Sequence, residues 1–169
     1  AGLASGNGGK VSGWEYSGNV GINPLAKEGA PAKANAPFWD NGKVPHGKQF
    51  AFIQHQGSLK QRVAGFEAGK RYQVCYFENA RNTGEGAPSL ELLVGGTCIV
   101  SSHEIAPAEG PGSFDLPFYA VKSAVFSVAK SGALELEFRK PPREKTTIYL
   151  DQVTVVEVDA AAELTVEGR

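Results

Sequence analysis

The sequence lacks several features that would direct attention to common classes of protein. It has no excess of charge of one sign, because 17 basic residues are balanced by 18 acidic ones and the net charge is −1. A nucleic-acid or anionic-membrane partner favours a strongly basic surface, so neither partner is expected. No apolar run approaches the ~18 residues that a membrane-spanning helix needs, so no membrane span is expected either.

Methionine is also absent, and the chain begins with Ala-Gly-Leu-Ala-Ser. This start predicts a processed or excised product. A removed secretory signal and an engineered excision are both compatible with it. A secreted, extracellular or cell-surface location is the corresponding expectation.

Cysteine is scarce, with only Cys75 and Cys98. A single disulfide is compatible with an exported protein. If the strands around Cys75, LELLV and TCIV form a meander, the two cysteines lie opposite Leu93 on its two sides. Two strand spacings of about 4.8 Å each are too wide for a disulfide. The sequence leaves open whether the two cysteines are bonded, and this geometry argues against it.

What the chain does contain is turn residues and short alternating segments. Its 21 glycines and 10 prolines separate strand-like segments. Apolar and polar residues alternate in several of them, as in Leu134/Leu136/Phe138, which is typical of a sheet with one buried face. We therefore predict an all-β protein, an antiparallel β-sandwich of the jelly-roll type. The predicted strands are 50–54, 58–63, 71–77, 90–94, 97–100, 118–128, 133–139 and 147–158.

The length of 169 residues fits one domain with flanking segments. Residues 1–37 are rich in Gly, Ala and Pro and are predicted to pack on the domain or lead into it. Residues 38–158 are predicted to form the β-sandwich core. Residues 159–169 are predicted to be a tail or an additional strand, because LTVEG (164–168) follows a complete strand.

The order of several short phrases resembles galactose-binding-like β-sandwich domains, in particular the bacterial and plant cell-wall carbohydrate-binding modules. In that family a phrase of the kind GSLKQRVAGFEAGKRY (57–72) bridges two central strands, and a phrase such as YLDQV (149–153) closes the sandwich. The resemblance covers roughly residues 14–158. It implies a galactose-binding-like jelly roll that binds polysaccharide.

The resemblance also implies a possible metal site. Such modules often hold a structural calcium between the Asp of the closing phrase and a Phe-Glu near the start of the domain. Asp151 occupies the first position, whereas this chain has no Phe-Glu at its start. Calcium takes about six to eight oxygen ligands, so Asp151 alone is insufficient, and structural calcium is left open. The missing first strand leaves a place in one sheet that LTVEG can fill, from its own chain or from a neighbour.

Sugar-binding sites combine aromatic faces with planar amides, carboxylates and arginine. Such residues are concentrated in the segment 36–58 and on one face of the strand after Tyr72. If Tyr72, Val74 and Tyr76 face the core, then the alternate residues of that strand face outward. Purely structural roles remain open for several of them. Trp39 can fill one end of the sandwich, His55 can cap the backbone of its strand, and Phe77 can pack under the N-terminal loop. The predicted ligand-binding residues are Trp39, Asp40, His46, Gln54, His55, Phe77, Asn79, Arg81 and Tyr119.

Catalysis is not predicted, because the three histidines lie in no G-x-S-x-G or H-E-x-x-H phrase. We predict a non-catalytic carbohydrate-binding domain with a polysaccharide or glycan partner. Two alternatives remain: a self-assembling extracellular subunit that exchanges strands between copies, and a jelly-roll glycan hydrolase with a carboxylate pair.

Overall fold

The computed structural model describes residues 11–23, 42–82, 85–108, 116–143 and 145–159, and the regular elements within these ranges are all β-strands. The all-β prediction is confirmed. None of the described elements is a helix of the length and apolarity that crossing a membrane requires. The strands are β1 (Glu15–Ile22), β2 (Ala51–Phe66), β3 (Arg71–Ala80), β4 (Ser89–Val94), β5 (Thr97–Glu104), β6 (Tyr119–Lys122), β7 (Phe126–Ser127), β8 (Gly132–Lys140) and β9 (Thr147–Glu157).

Strand β2 belongs to both layers of the sandwich. Its residues 51–54 pair with β9 and its residues 57–63 pair with β8, both antiparallel. The first sheet therefore has the order β5-β4-β8-β2, and the second has the order β2-β9-β3-β6. Strand β1 follows β2 along its other edge and shifts register between Gly18 and Asn19. The jelly-roll prediction is confirmed, with two sheets joined through one bent strand.

The bend in β2 depends on two glycines where β1 and β2 approach closely. A Cβ atom on Gly18 would lie 2.2 Å from the main-chain oxygen of Gln56, and one on Gly57 would lie 2.4 Å from that of Ser17. Any side chain at these positions would force the strands apart. His55 adds to the bend, because its φ of 58° lies in the left-handed region. The sequence prediction of two separate strands, 50–54 and 58–63, is thus corrected to one strand with a corner.

The main core lies between the two sheets. Inward-facing residues of β2, β3, β4, β8 and β9 form most of it, and the predicted alternation of Leu134, Leu136 and Phe138 supplies one wall. Phe138 packs edge-on against Tyr76, with ring centroids 4.9 Å apart, and the ring centroid of Trp14 lies 6.1 Å from that of Phe138. These contacts bury the apolar face of each sheet, which is the principal source of stability.

The predicted meander around the cysteines is wrong. Strand β3, which carries Cys75, lies in the second sheet, whereas β4 and β5 lie in the first. Cys98 does pair opposite Leu93, but Cys75 is opposite Thr154 and Lys122. Both cysteines are free. The prediction failed because the connection from β3 to β4 crosses between sheets, so it is not a hairpin.

One further sequence prediction, that of a single strand over residues 118–128, is met only in part. The predicted strand 118–128 is divided into β6 and β7. Strand β1 lies inside the predicted N-terminal segment 1–37 and pairs with β2 as part of the sandwich. The segment LTVEG lies outside the described residues, so its role stays a prediction.

Candidate functional site

The outer face of the second sheet carries a second apolar cluster, separate from the main core. Its members are Phe50, Phe52, Phe118 and Tyr149, and we call it the outer aromatic cluster. The ring centroids of Phe50 and Tyr149 are 4.3 Å apart, and those of Phe50 and Phe118 are 5.5 Å apart. Strand alternation explains its position, because Ile53 faces the main core and Phe52 therefore faces outward.

Two short segments, 42–50 and 116–118, lie over this cluster. They are joined by a bridge between Lys43 and Pro117 and by a hydrogen bond of 2.8 Å from the Lys43 N–H to the Leu116 carbonyl. Gly42 permits the close fit, because a Cβ atom there would lie 2.2 Å from the Asn79 side chain. This cover places backbone and polar groups beside the aromatic rings.

Beside the outer aromatic cluster, four polar residues form a row across β1, β2, β9 and the position that follows β3. Asn19 of β1 is opposite Gln54 of β2, which is opposite Thr147 of β9. Arg81 follows β3, and its main-chain N–H donates to the Thr147 carbonyl over 2.9 Å, so it continues the same row. We call Asn19, Gln54, Thr147 and Arg81 the polar row. Amide, hydroxyl and guanidinium groups in a line are suited to binding the hydroxyl groups of a ligand.

Two oxygen atoms in the polar row have no hydrogen-bond partner among the described residues. They are Oδ1 of Asn19 and Oγ1 of Thr147, and both are buried. The Nδ2 atom of Asn19, in contrast, donates to Oε1 of Gln54 over 2.7 Å. A buried polar atom that lacks a partner costs roughly 1–3 kcal/mol, so these two oxygens favour an additional donor at this row.

The structure brings several predicted ligand-binding residues onto this one face. Gln54 and Arg81 are in the polar row, and Asn79 is opposite Tyr149 in the adjacent row. Asn79 is fully buried, and its Oδ1 accepts a hydrogen bond of 3.1 Å from the Ala108 N–H. Phe77 packs against the outer aromatic cluster. Phe77 and Asn79 therefore support the face from beneath, and a direct ligand contact by either stays a prediction.

Other predicted residues lie elsewhere or have structural contacts. His55 sits at the bend of β2, where its Nδ1 accepts a hydrogen bond of 3.0 Å from the Lys145 N–H, the backbone contact considered from the sequence. The main-chain N–H of His46 donates to Oδ2 of Asp151 over 2.9 Å. Tyr119 is opposite Glu78, a residue of the inward-facing set, and is 45 % exposed at the sheet edge, apart from the polar row. Trp39 and Asp40 lie outside the described residues.

Asp151 anchors the loop over the outer aromatic cluster. Its Oδ2 accepts from His46 and its Oδ1 accepts from the Gln152 N–H over 2.8 Å. Burial raises the pKa of the Asp151 carboxyl, and these two hydrogen bonds act in the opposite direction. Among the described residues no cluster of three or more His, Cys, Asp or Glu side chains could hold a metal. The described surroundings of Asp151 thus do not fit calcium, because both carboxylate oxygens face amide donors and no second carboxylate joins them.

A groove on the outer face of the first sheet was not predicted from the sequence. This first-sheet groove has a volume of about 580 Å³, and Gln56, Glu91, Glu137 and Arg139 contribute polar groups to it. Arg139 donates to Glu91 over 2.5 Å, and Lys60 lies 3.4 Å from Glu137. Glu91 and Arg139 thus form a pair within the groove, whereas Glu137 is paired with a lysine that does not line it. The outward phase of β8 was the sequence signal, because Glu137 and Arg139 alternate with its core residues.

A second feature missed from the sequence is a partly buried contact between a histidine and a glutamate that crosses the sandwich. Nε2 of His103, on β5, lies 2.8 Å from Oε1 of Glu78, on β3. The side chain of Glu78 is 5 % exposed and that of His103 is 33 % exposed. The hydrogen bond from Glu78 raises the pKa of His103 above its usual 6.5, although partial burial opposes the rise. Burial raises the pKa of the Tyr76 hydroxyl, and the charge of Glu78 adds to this effect.

Known proteins resemble this chain in structure and not in sequence. No established family profile matches the sequence, and no curated protein is significantly similar to it. Solved structures do match. The CBM22-1 xylan-binding domain of Paenibacillus barcinonensis Xyn10C is 14 % identical over 90 % of this chain and 90 % of that domain, with a TM-score of 0.57. TmCBM61, solved with β-1,4-galactotriose, is 17 % identical over 89 % of this chain and 92 % of its own, with a TM-score of 0.58.

This chain has the β-sandwich fold of carbohydrate-binding modules. The resemblance inferred from its short phrases is confirmed at the level of fold. The EclA C-terminal domain, described as a sugar-binding protein, also matches, with 18 % identity over 67 % of this chain and 81 % of that domain and a TM-score of 0.52.

Proposed function

We propose that the chain is an extracellular, non-catalytic module that binds a polysaccharide on the outer face of its second sheet. The polar row carries the proposal. It aligns polar residues of β1, β2 and β9 with Arg81, which follows β3, beside the outer aromatic cluster. Asn19, Gln54 and Arg81 are partly exposed, so their side chains can pair with sugar hydroxyls, whereas Thr147 is fully buried between Gln54 and Arg81.

The chemistry of the proposed site is recognition without bond cleavage. A sugar ring presents C–H faces that pack on aromatic rings and hydroxyls that pair with planar polar side chains. Arg81 supplies a fork of donors and Gln54 supplies both a donor and an acceptor. Trp39, predicted from the sequence as a stacking platform, is next in the chain to Asp40, which would add a carboxylate acceptor.

Affinity electrophoresis in gels containing xylan or β-1,4-galactan tests this proposal, since solved proteins of this fold are described with xylan and with β-1,4-galactotriose. A panel of other soluble polysaccharides widens the search. Arg81→Ala and Trp39→Ala are each expected to weaken binding by roughly 1–3 kcal/mol without loss of folding. The matched control is Arg139→Ala, which removes an arginine from the first-sheet groove on the other sheet.

The paired arginine variants distinguish the two faces. Retarded migration of the unmodified chain that is lost in Arg81→Ala and kept in Arg139→Ala supports the polar row. The reverse pattern would move the site to the first-sheet groove. Normal retardation in both Arg81→Ala and Trp39→Ala removes the proposed face from consideration.

Self-association through strand pairing is the second candidate function, and one observation favours it. Strand β9 pairs with β2 only through residues 147–150, and the described residues place no strand beside the same edge of 152–157. A free edge can accept a strand from a neighbouring chain. Light scattering together with negative-stain microscopy tests this candidate. A monodisperse monomer argues against it, whereas polymers would make the chain foremost a structural subunit.

The hydrolase alternative has weaker support. It requires two carboxylates in one cleft that differ in environment, one acting as acid and the other as base or nucleophile. Glu91 and Glu137 share the first-sheet groove, but each is engaged with a cation, Arg139 and Lys60 respectively. Binding without catalysis therefore remains the proposal.

A further inference from the structure

The geometry of His103 points to a bound proton. Nε2 lies 2.8 Å from the Glu78 carboxylate, and Nδ1 lies 3.1 Å from the main-chain oxygen of Ser101. Both partners are hydrogen-bond acceptors. A neutral imidazole carries only one N–H and can satisfy only one of them, whereas the imidazolium satisfies both.

The burial of Glu78 strengthens this argument. Its side chain is 5 % exposed, and its Oε2 has no hydrogen-bond partner among the described residues. His103 is its only ion-pair partner among those residues. A buried carboxylate without a counter-charge is costly. The pair therefore needs one proton on His103 beyond those of its neutral form.

The pair also joins parts of the chain that support the proposed binding face. Glu78 precedes Asn79, whose Oδ1 accepts from Ala108 over 3.1 Å. Ala108 lies four residues beyond the end of β5, the strand of His103. The end of β5 is therefore attached to β3 twice, once through the ion pair on the inward face and once through Asn79 beneath the binding face. When the contact between Glu78 and His103 weakens, the hydrogen bond between Ala108 and Asn79 is the one of these two attachments that remains.

We propose that the Glu78–His103 pair is a proton-operated latch between the two sheets, and that its closed state favours glycan binding on the polar row. The coupling to glycan binding rests on the proposed function, whereas the latch itself is independent of it. By thermodynamic linkage, a ligand that prefers the closed latch also raises the affinity of His103 for its proton.

Other ionisable groups around His103 are few in the described elements. Strand β3 contributes Glu78 and Tyr76, and β6 places Tyr119 opposite Glu78. On β5 itself, Glu104 is paired with Arg143 at 3.2 Å. Strand β4 places Leu90 opposite His103 and adds only main-chain groups there.

The direction of the pH effect follows from the raised pKa of His103. A group whose pKa is higher in the folded state than in the unfolded state contributes stability that is complete below the unfolded value of about 6.5. That contribution is lost as the pH rises through the higher folded value. Stability and glycan affinity should therefore both fall as the pH rises above about 6.5.

The test compares the unmodified chain with His103→Gln, Glu78→Gln and a control, Glu104→Gln, across pH 5 to 9. The thermal unfolding midpoint of the unmodified chain and of the control is expected to fall over this range. His103→Gln carries no titrating ring, and in Glu78→Gln the amide can donate to a neutral His103. Both should therefore give flatter profiles. Identical slopes in all four chains would overturn the latch.

The coupling to ligand is tested in the same buffers by affinity electrophoresis in xylan or β-1,4-galactan. The dissociation constant of the unmodified chain is expected to rise about fivefold between the ends of the range, and that of His103→Gln to stay level. An equal rise in both overturns the coupling. A chain that binds neither polysaccharide at any pH removes the proposed function and the coupling together, while the latch is still judged by its unfolding profile.

Discussion

Lys140 donates a hydrogen bond from its ammonium group to the main-chain oxygen of His55, at the bend of β2. Lys140 is only 1 % exposed, and the carbonyl oxygens of Pro141 and Arg143 lie 3.4 Å and 3.3 Å from its Nζ. The ammonium group thus donates hydrogen bonds to carbonyl oxygens of β2 and of the loop after β8. It fixes the place where β2 leaves one sheet for the other.

We expect Lys140→Met to lower the free energy of unfolding by about 2–4 kcal/mol, because the carbonyls at the bend lose a charged donor. Urea denaturation followed by tryptophan fluorescence measures the change. Lys60→Met is the control, since Lys60 forms ion pairs at the surface of the first sheet and its loss should cost about 1 kcal/mol or less. Equal effects of the two substitutions would show that the bend does not depend on Lys140.

Gly57→Ala should destabilise the fold by about 1–3 kcal/mol, because the new Cβ atom meets the main-chain oxygen of Ser17 and the two strands must move apart. Its φ is not in the left-handed region, so the cost is one of space. The neighbouring substitution Ser58→Ala, which removes only the hydroxyl contact with Ser17, serves as the control. A Gly57→Ala chain as stable as the parent would contradict the close approach.

Calcium should have little influence on the stability of the chain. Both oxygens of Asp151 accept main-chain hydrogen bonds, so the carboxylate acts as a loop anchor. We expect the unfolding midpoint in excess EDTA to match that in millimolar calcium. A midpoint several degrees higher with calcium would indicate a site completed by residues beyond those described here, and Asp151→Asn would show whether Asp151 belongs to it.

The free thiols of Cys75 and Cys98 should differ in their reaction with a thiol reagent under native conditions. Cys98 is exposed, whereas Cys75 is half-buried on β3. We expect Cys98 to be labelled first, with Cys75 following more slowly, and mass spectrometry of peptides identifies the order. Labelling of neither thiol before reduction would point to a disulfide and contradict the strand order.

Much of the fold was predictable from the sequence because burial leaves a local pattern. The alternation in β8 and in β3 predicted which residues face the core, and Phe77, Asn79 and Arg81 were assigned to the outer face on that basis. The bend of β2 was not predictable in the same way. The sequence around Gly57 suggests a turn between strands, and only the pairing of β2 with both β8 and β9 shows one strand continuing through it.

The candidate site was predictable only where strand alternation decides a direction. Gln54 and Arg81 occupy one row because β2, β9 and β3 are neighbours, and the sequence contains no signal for that order. The sequence contains one signal for the contact between Glu78 and His103. Glu78 continues the inward phase of Tyr72, Val74 and Tyr76, and a carboxylate in a buried phase requires a partner, which β5 provides from the opposite sheet.

The bent strand has a consequence for how the protein comes apart. Because β2 is a covalent member of both sheets, neither sheet can detach as an intact unit while the other stays folded. Strands β8 and β9 complete the pairing on either side of the bend, and their residues lie 66–99 positions after their partners in β2. Folding must close these long loops before either sheet is complete, so we expect slow folding and a single all-or-none transition. Native-state hydrogen exchange should then show the amides of β2 in both sheets opening together, at the free energy of global unfolding.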